Sequence, residues 1–262
     1  MKFGCCIRSA EDISSLKEIG FDYYEFAGSV LAEMDEAAFA ELRRRTEEHT
    51  LPCLGLNAYC LASPAIVGPA YDPDPARRYA ELLCGRGRQL GIRNLGIGAP
   101  LARRLPAGFP RQEADRQCAD FLRVTCETAE RFGIRVLLEA INSRMCSYIN
   151  TTAEAVSMLQ RLPYPNLALV LDFYHMEVMG ESLSSVALAA PYLAHVHVSS
   201  CEADLSRGFP ASSDLGLYTC RFAALKDAAY DGSVSIEPDR FDPAAAAAAL
   251  RMLRTAKGES LS

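Results

Sequence analysis

Val136-Leu137-Leu138-Glu139 is a short apolar run that ends in a carboxylate, and the same pattern recurs along the second half of the chain. Three later runs also end in a side chain that can bind a divalent metal: Leu169-Val170-Leu171-Asp172, His195-Val196-His197 and Ser233-Val234-Ser235-Ile236-Glu237. From 139 to 172, 172 to 197 and 197 to 237 the intervals are 33, 25 and 40 positions, about one strand and one helix each. In a (β/α) barrel, successive strands contribute residues from their carboxyl ends to one common site. The spacing therefore predicts such a barrel.

The whole chain continues this alternation of short apolar runs with longer amphipathic segments, which favours a parallel sheet covered by helices. We predict eight strands, at residues 2–7, 23–26, 53–58, 94–98, 135–141, 167–173, 194–199 and 232–237. We predict helices at residues 10–19, 35–49, 74–91, 112–132, from 151 onwards, 183–192, 220–229 and 243–255. A length of 262 residues is typical of one eight-unit barrel. The predicted fold is thus a single (β/α)8 TIM barrel, with residues 1–262 as one domain.

Composition and charge exclude several classes of function. The net charge of −6 and the isoelectric point of about 5.4 argue against a nucleic-acid partner. No stretch approaches the length of uncharged apolar sequence that a membrane span needs, and residues 1–8 do not resemble a signal peptide. The ten cysteines form no Cys-x-x-Cys pair, so we interpret them as buried apolar residues in a reducing compartment. These features predict a soluble cytoplasmic protein.

The four residues that end the strands, Glu139, Asp172, His197 and Glu237, are the candidate metal ligands. A carboxylate that ends an apolar strand must be paired or coordinated, because an isolated buried charge is costly. One such residue alone would fit a salt bridge, whereas four on consecutive units favour a shared metal. The oxygen-rich set suits Mn²⁺, Mg²⁺ or Co²⁺. His195 should face the same side as His197 but one layer deeper, as a hydrogen-bonded core histidine.

Further candidates lie in the predicted loops on the same face. His175 follows Asp172 by three residues and could orient a substrate or supply a proton, or be an ordinary loop histidine. Arg103, Arg104 and Arg207 could hold a phosphate or a hydroxyl-rich substrate, or form surface salt bridges. The loops at 61–75 and 99–110 are long enough to be binding loops.

Five segments resemble the xylose isomerase-like TIM-barrel superfamily, in the right order over nearly the whole chain. They are Gly-Phe-Asp-Tyr-Tyr-Glu (20–25), Leu-Glu-Ala-Ile-Asn (138–142), Leu-Asp-Phe-Tyr-His-Met (171–176), His-Val-His-Val (195–198) and Tyr-Asp-Gly-Ser-Val-Ser-Ile-Glu (230–237). Within the superfamily the chain is similar to the sugar phosphate isomerase/epimerase group, which includes ketose 3-epimerases of the tagatose and psicose type.

The resemblance implies a role for each candidate. It makes Glu139, Asp172, His197 and Glu237 the ligands of one divalent metal, with Mn²⁺ as the expected ion and Mg²⁺, Co²⁺ or Zn²⁺ as alternatives. It also makes Glu139 and Glu237 the groups that transfer protons, and His175 and Arg207 the groups that contact substrate. Two departures are evident: relatives tend to have a substrate-binding glutamate where this chain has Met145, and the chain has no Trp.

The expected function is therefore a metal-dependent sugar or sugar phosphate isomerase or epimerase that works through a cis-enediolate. The expected partner is a small sugar or sugar phosphate, with no nucleic acid and no membrane, and the resemblance also allows a homo-oligomer. One alternative is an inosose-type keto-polyol dehydratase on the same scaffold. Two others are an abasic-site endonuclease, which needs more histidines than the four present, and a non-catalytic sugar- or metal-binding protein.

Overall fold

Eight parallel strands close into a barrel in the computed structural model, which describes residues 1–258. The barrel strands are β1 (Lys2–Ile7), β2 (Tyr23–Ala27), β3 (Cys53–Asn57), β4 (Asn94–Ile97), β5 (Arg135–Glu139), β6 (Leu167–Asp172), β7 (Leu193–Val198) and β10 (Ser233–Ile236). Each strand pairs with its neighbours along the chain, and β1 pairs with β10 to complete the ring. The predicted TIM barrel is confirmed. The predicted domain end at residue 262 lies outside the described residues.

A short antiparallel hairpin interrupts the alternation after β7. Its strands are β8 (Ser200–Cys201) and β9 (Arg207–Gly208), and both lie in a segment predicted to be a loop. Two-residue strands give no periodic signal, so the pattern of the sequence could not reveal them. The hairpin places Arg207 beside the carboxyl ends of the barrel strands.

The helices cover the barrel in the predicted order. They are α1 (Asp12–Ile19), α2 (Gly28–Glu33), α3 (Glu36–His49), α4 (Pro73–Leu90), α5 (Arg111–Glu130), α6 (Thr152–Gln160), α7 (Phe173–Met179), α8 (Ser184–Ala189), α9 (Leu215–Asp227) and α10 (Pro243–Lys257). A capping box begins α6, with reciprocal hydrogen bonds between Thr151 and Glu154. The short helices α2 and α7 were not predicted, and α9 begins at Leu215 instead of residue 220.

The two faces of the strands differ in chemistry. On β2, β7 and β10 the residues packed in the apolar layer under the helices include Phe26, Val196 and Ile236. The alternate residues face the barrel interior and bond to one another: Tyr23 with Ser235, and Glu25 with His195. The interior is therefore polar over this sector, and it leads to the strand ends where the candidate ligands lie.

Cysteine burial follows the prediction with two exceptions. All ten cysteines, which lie within the described residues, are free, and eight of them are buried. Cys201 is half-buried in the hairpin, and Cys220 is exposed on α9. No helix within residues 1–258 combines the length and apolar character needed to cross a bilayer.

Two glycines of α4 provide a matched test of the packing between helix and barrel. A Cβ at Gly85 would meet nothing within 4 Å, whereas one at Gly87 would overlap Ile92 Cδ1 and lie 2.8 Å from Ile92 Cγ1. Gly85→Ala should raise the free energy of unfolding by about 1 kcal/mol, because alanine is the better helix former. Gly87→Ala should raise the free energy of unfolding by less, or lower it, because the added Cβ overlaps Ile92. Urea denaturation measures the free energy of unfolding of both variants. Equal stabilisation by both variants would contradict this packing.

Candidate active site

The four predicted ligands lie together at the carboxyl ends of β5, β6, β7 and β10. One donor atom from each of Glu139, Asp172, His197 and Glu237 lies within 4.8 Å of the others. The side chains of Glu139, Asp172 and His197 are buried, and Glu237 is half-buried. The set thus forms one compact cluster in the barrel mouth.

Local contacts fix each carboxylate. A Cβ at position 98 would lie 2.5 Å from Glu139 Oε2, so Gly98 after β4 leaves the space in which this carboxylate lies. Asp172 Oδ1 accepts the N–H of Tyr174 at 2.8 Å and thereby caps α7. Glu237 Oε1 accepts a hydrogen bond of 2.7 Å from Asn57 Nδ2. One oxygen of Asp172 and one of Glu237 therefore accept hydrogen bonds from the protein, and one oxygen of Glu139 packs against Gly98.

Arg207 supplies a positive charge to the cluster. Its Nη2 donates to Asp172 Oδ2 at 2.5 Å, its Nη1 donates to Glu237 Oε2, and its guanidinium carbon lies 4.4 Å from the centre of the Tyr174 ring. Burial alone would raise the pKa values of Asp172 and Glu237, but Arg207 lowers both below their usual range. Glu139 has no such partner, and burial raises its pKa to about 7. The two glutamates consequently differ in acidity.

His197 stands between this cluster and a deeper carboxylate. Its Nδ1 is 3.4 Å from Glu139 Oε1 and 3.3 Å from Glu237 Oε2, and its Nε2 is 3.4 Å from Glu25 Oε1. His195 Nε2 lies 2.5 Å from the same Glu25 oxygen. The two histidines face the same side, with His195 buried and hydrogen-bonded one layer deeper, as predicted.

Glu25 is a buried residue of the site for which the sequence predicts no role. Its carboxylate is buried and also accepts a hydrogen bond from Ser235. Although burial raises its pKa, His195 and His197 lower that pKa well below the usual range, so Glu25 is ionised. The available signal was a carboxylate inside the aromatic run Tyr23-Tyr24-Glu25-Phe26, which required a buried partner.

His175 lies in α7 and not in a loop, which corrects the predicted position. It is buried; its Nε2 is 2.8 Å from Arg207 Nη2 and its Nδ1 is 2.8 Å from Asn142 Nδ2. Burial lowers the pKa of His175 to about 4, so the ring is neutral at pH 7. The neutral imidazole therefore adds no charge to the cluster, and each of its two nitrogens faces a protein nitrogen atom.

The other loop arginines do not reach the cluster. Arg104 Nη2 donates to the carbonyl of Met145 at 3.0 Å. Arg103 is completely buried, and its guanidinium has no hydrogen-bond partner within residues 1–258. Neither side chain lines the cavity above the cluster, so of the three arginine candidates only Arg207 belongs to the site.

A divalent cation fits this donor set. Glu139 Oε1 and His197 Nδ1 are buried, and neither has a hydrogen-bond partner in the described part of the chain. Such atoms are costly unless a ligand satisfies them. Three carboxylates with one imidazole form the hard, oxygen-rich environment that suits Mn²⁺, Mg²⁺ or Co²⁺. His197 also groups with Cys6 and Glu25, but that carboxylate is already bound by His195 and Ser235.

A cavity of about 520 Å³ opens directly above these residues. Glu139, His175, Arg207 and Glu237 line its floor. Its volume falls within the range of pockets that bind small molecules. The cluster is therefore accessible to a small ligand from the carboxyl end of the barrel.

Comparison with known proteins identifies the family of the chain. The family model described as xylose isomerase-like TIM barrel matches residues 13–256, and the chain belongs to this family. It is 26% identical to the D-psicose 3-epimerase of Ruminiclostridium cellulolyticum over 86% of this chain and 76% of the relative. It is 28% identical to the 3-dehydro-D-guloside 4-epimerase of Escherichia coli over 87% of this chain and 86% of the relative. These relatives are enzymes, which confirms the prediction that this chain is an enzyme.

A solved structure agrees with the fold. The D-psicose 3-epimerase of Clostridium cellulolyticum H10 with D-tagatose superposes with a TM-score of 0.80. The match covers 99% of this chain and 100% of that one, at 22% sequence identity. At this level of identity the similarity shows the fold alone.

The Glu25 contacts generate a prediction about metal affinity. A carboxylate bonded to the far nitrogen of a ligating histidine fixes the ring, and its loss typically weakens metal binding by about 10- to 100-fold. Glu25→Gln should therefore raise the dissociation constant for Mn²⁺ by about this factor in isothermal titration calorimetry. The exposed Glu18→Gln variant is the control, and circular dichroism verifies folding. An unchanged Mn²⁺ affinity in a folded Glu25→Gln variant would contradict the orienting role.

Proposed function

We propose that the protein is a divalent-metal-dependent sugar isomerase or epimerase in which Glu139 and Glu237 exchange protons with the substrate. The observation that carries this proposal is the convergence of the two glutamates on one imidazole nitrogen. His197 Nδ1 lies 3.4 Å from the Glu139 carboxylate and 3.3 Å from that of Glu237, and both glutamates line the cavity. A sugar carbon above the cluster would lie within reach of two carboxylates.

Glu139, Asp172, His197 and Glu237 would hold the ion. When bound, a divalent cation supplies a Lewis acid that favours ionisation of the carbon next to a carbonyl. The identity of the ion is part of the proposal: Mn²⁺ is expected, and Mg²⁺, Co²⁺ and Zn²⁺ are the alternatives to compare.

The protein residues divide the proton transfer between them. One glutamate removes the proton from the carbon next to the carbonyl, and the electron pair forms a cis-enediolate. The other glutamate returns a proton. Return from the opposite face to the same carbon gives the epimer, and return to the neighbouring carbon gives the aldose–ketose isomer. Positioned general acids and bases of this kind typically contribute about 10²- to 10⁴-fold to the rate.

Arg207 and His175 would position the substrate. The Arg207 guanidinium contacts Asp172, Glu237 and His175, and its side chain can donate to substrate oxygen atoms in the same space. The hairpin of β8 and β9 carries this arginine over the barrel mouth. Burial of the cluster also limits the access of bulk water to the enediolate.

The relatives support a keto-sugar as substrate. The D-psicose enzyme acts on a ketose, and the E. coli enzyme acts on a glycoside with a keto group in its ring, as their names state. The proposed substrate class for this chain is accordingly a sugar or sugar phosphate with a carbonyl next to the carbon that exchanges its proton. We also propose that the protein is cytoplasmic and that its partner is a small molecule.

Substitution of the two glutamates tests the proposal. Glu139→Gln and Glu237→Gln should each lower turnover of keto-sugars by at least 10²-fold, because an amide cannot take up the proton. Products are followed by NMR at saturating Mn²⁺, and metal content is measured by mass spectrometry so that loss of metal is separated from loss of the base.

Glu18→Gln on the exposed face of α1 serves as the control and should retain full turnover. A metal-loaded Glu139→Gln or Glu237→Gln variant with nearly unchanged turnover would rule out that residue as an acid–base group. Elimination products in place of epimers would assign the chain to dehydration.

A further inference from the structure

The rim of the cavity has an apolar side that the proposed proton chemistry does not use. Leu61 is 57% exposed, Leu101 is 51% exposed and Met145 is 38% exposed, and all three line the cavity. They follow β3, β4 and β5, which are consecutive strands of the barrel, so they lie on one side of the mouth. Large side chains that stay exposed around a ligand cavity indicate a surface that a bound ligand covers.

The opposite side of the rim is polar but balanced in charge. Arg8 and Asp12 follow β1, and Asp239 and Arg240 follow β10, which pairs with β1. The two positive and two negative side chains cancel formally. A phosphate or carboxylate group would therefore gain no net Coulomb attraction from this rim, whereas a hydroxyl-rich ring would find both donors and acceptors.

From this asymmetry we infer that the substrate is a keto-sugar that carries an apolar substituent, such as a glycoside with an apolar aglycone. The sugar ring would lie over Glu139 and Glu237, and the substituent would cover Leu61, Leu101 and Met145. This inference rests on the proposed function and narrows its substrate class. In a glycoside the anomeric carbon is blocked, so the carbonyl must be at another ring carbon, and the exchanged proton is on the carbon beside it.

The cavity has room for such a molecule. Its volume of about 520 Å³ lies well inside the range of about 300–1,000 Å³ in which pockets enclose ligands larger than a single sugar. The apolar side chains are continuous with the floor of the proposed active site, because they line the same cavity. A substituent attached to the reacting sugar is therefore a better-supported occupant than a separate protein partner.

The direct experiment compares one 3-keto-hexose as its methyl and its phenyl glycoside, together with a free ketohexose and its phosphate. We expect kcat/KM for the phenyl glycoside to exceed that for the methyl glycoside by at least tenfold. Apolar groups that fill an apolar pocket discriminate by about 10- to 200-fold. The Leu61→Gln and Leu101→Gln variants should lower kcat/KM for the phenyl glycoside by about tenfold more than for the methyl glycoside.

Leu217→Gln provides the matched control, because Leu217 is 46% exposed on α9 and does not line the cavity. The Leu217→Gln variant should leave kcat/KM unchanged for both glycosides. Equal kcat/KM for both glycosides would overturn the inference. A higher kcat/KM for the phosphorylated ketose, reduced in the Arg8→Gln variant, would also overturn the inference. A Leu61→Gln variant that changes its oligomeric state but not its substrate preference would overturn it as well.

Calorimetric titration separates this inference from the proposed function. If no keto-sugar is turned over, the proposed function fails. A comparison of the binding affinities of the phenyl and methyl glycosides then still tests the apolar rim. Tighter binding of the phenyl glycoside that is lost in Leu101→Gln supports the apolar rim. Equal binding of the two glycosides overturns it.

Discussion

Mutual repulsion of buried carboxylates is the constraint on which the rest of this site depends. Glu139, Asp172 and Glu237 bring donor atoms within 4.8 Å of one another at the barrel mouth. At that separation two like charges repel by about 3–4 kcal/mol at an effective dielectric constant of 20. A fold retains such a group only if a nearby cation offsets the repulsion or one of the carboxyl groups takes up a proton. Arg207 provides one positive charge in this structure. Glu139 Oε1 and His197 Nδ1 are buried and make no hydrogen bond within residues 1–258, and they indicate where a metal ion would add more.

The surrounding structure follows from the need to hold these charges in place. Gly98 leaves space for the Glu139 carboxylate, Asn57 fixes Glu237, and Glu25 holds the far side of His197. The hairpin of β8 and β9 places Arg207 against Asp172 and Glu237. Each support comes from a different barrel strand or loop, and each contacts one or two residues of the cluster.

The sequence predicted the barrel and the cluster because both depend on a regular pattern. Glu139, Asp172, His197 and Glu237 end apolar runs at intervals of one repeat, and a parallel barrel aligns such positions at one edge. Glu25 was missed because it lies within a strand, where its partners His195 and Ser235 are distant in sequence. The buried position of His175 and the exclusion of Arg103 from the cavity likewise depend on tertiary packing, which spacing alone does not encode.

Deuterium incorporation tests the central claim most directly. The Mn²⁺-loaded protein is incubated in D₂O with free, phosphorylated and glycosidic keto-sugars, and the sugars are followed by NMR. The account predicts that deuterium enters at the carbon next to the carbonyl, because the glutamate that returns a proton has exchanged its own proton with D₂O. The absence of exchange in a sugar that demonstrably binds the metal-loaded protein would contradict enediolate chemistry at this site.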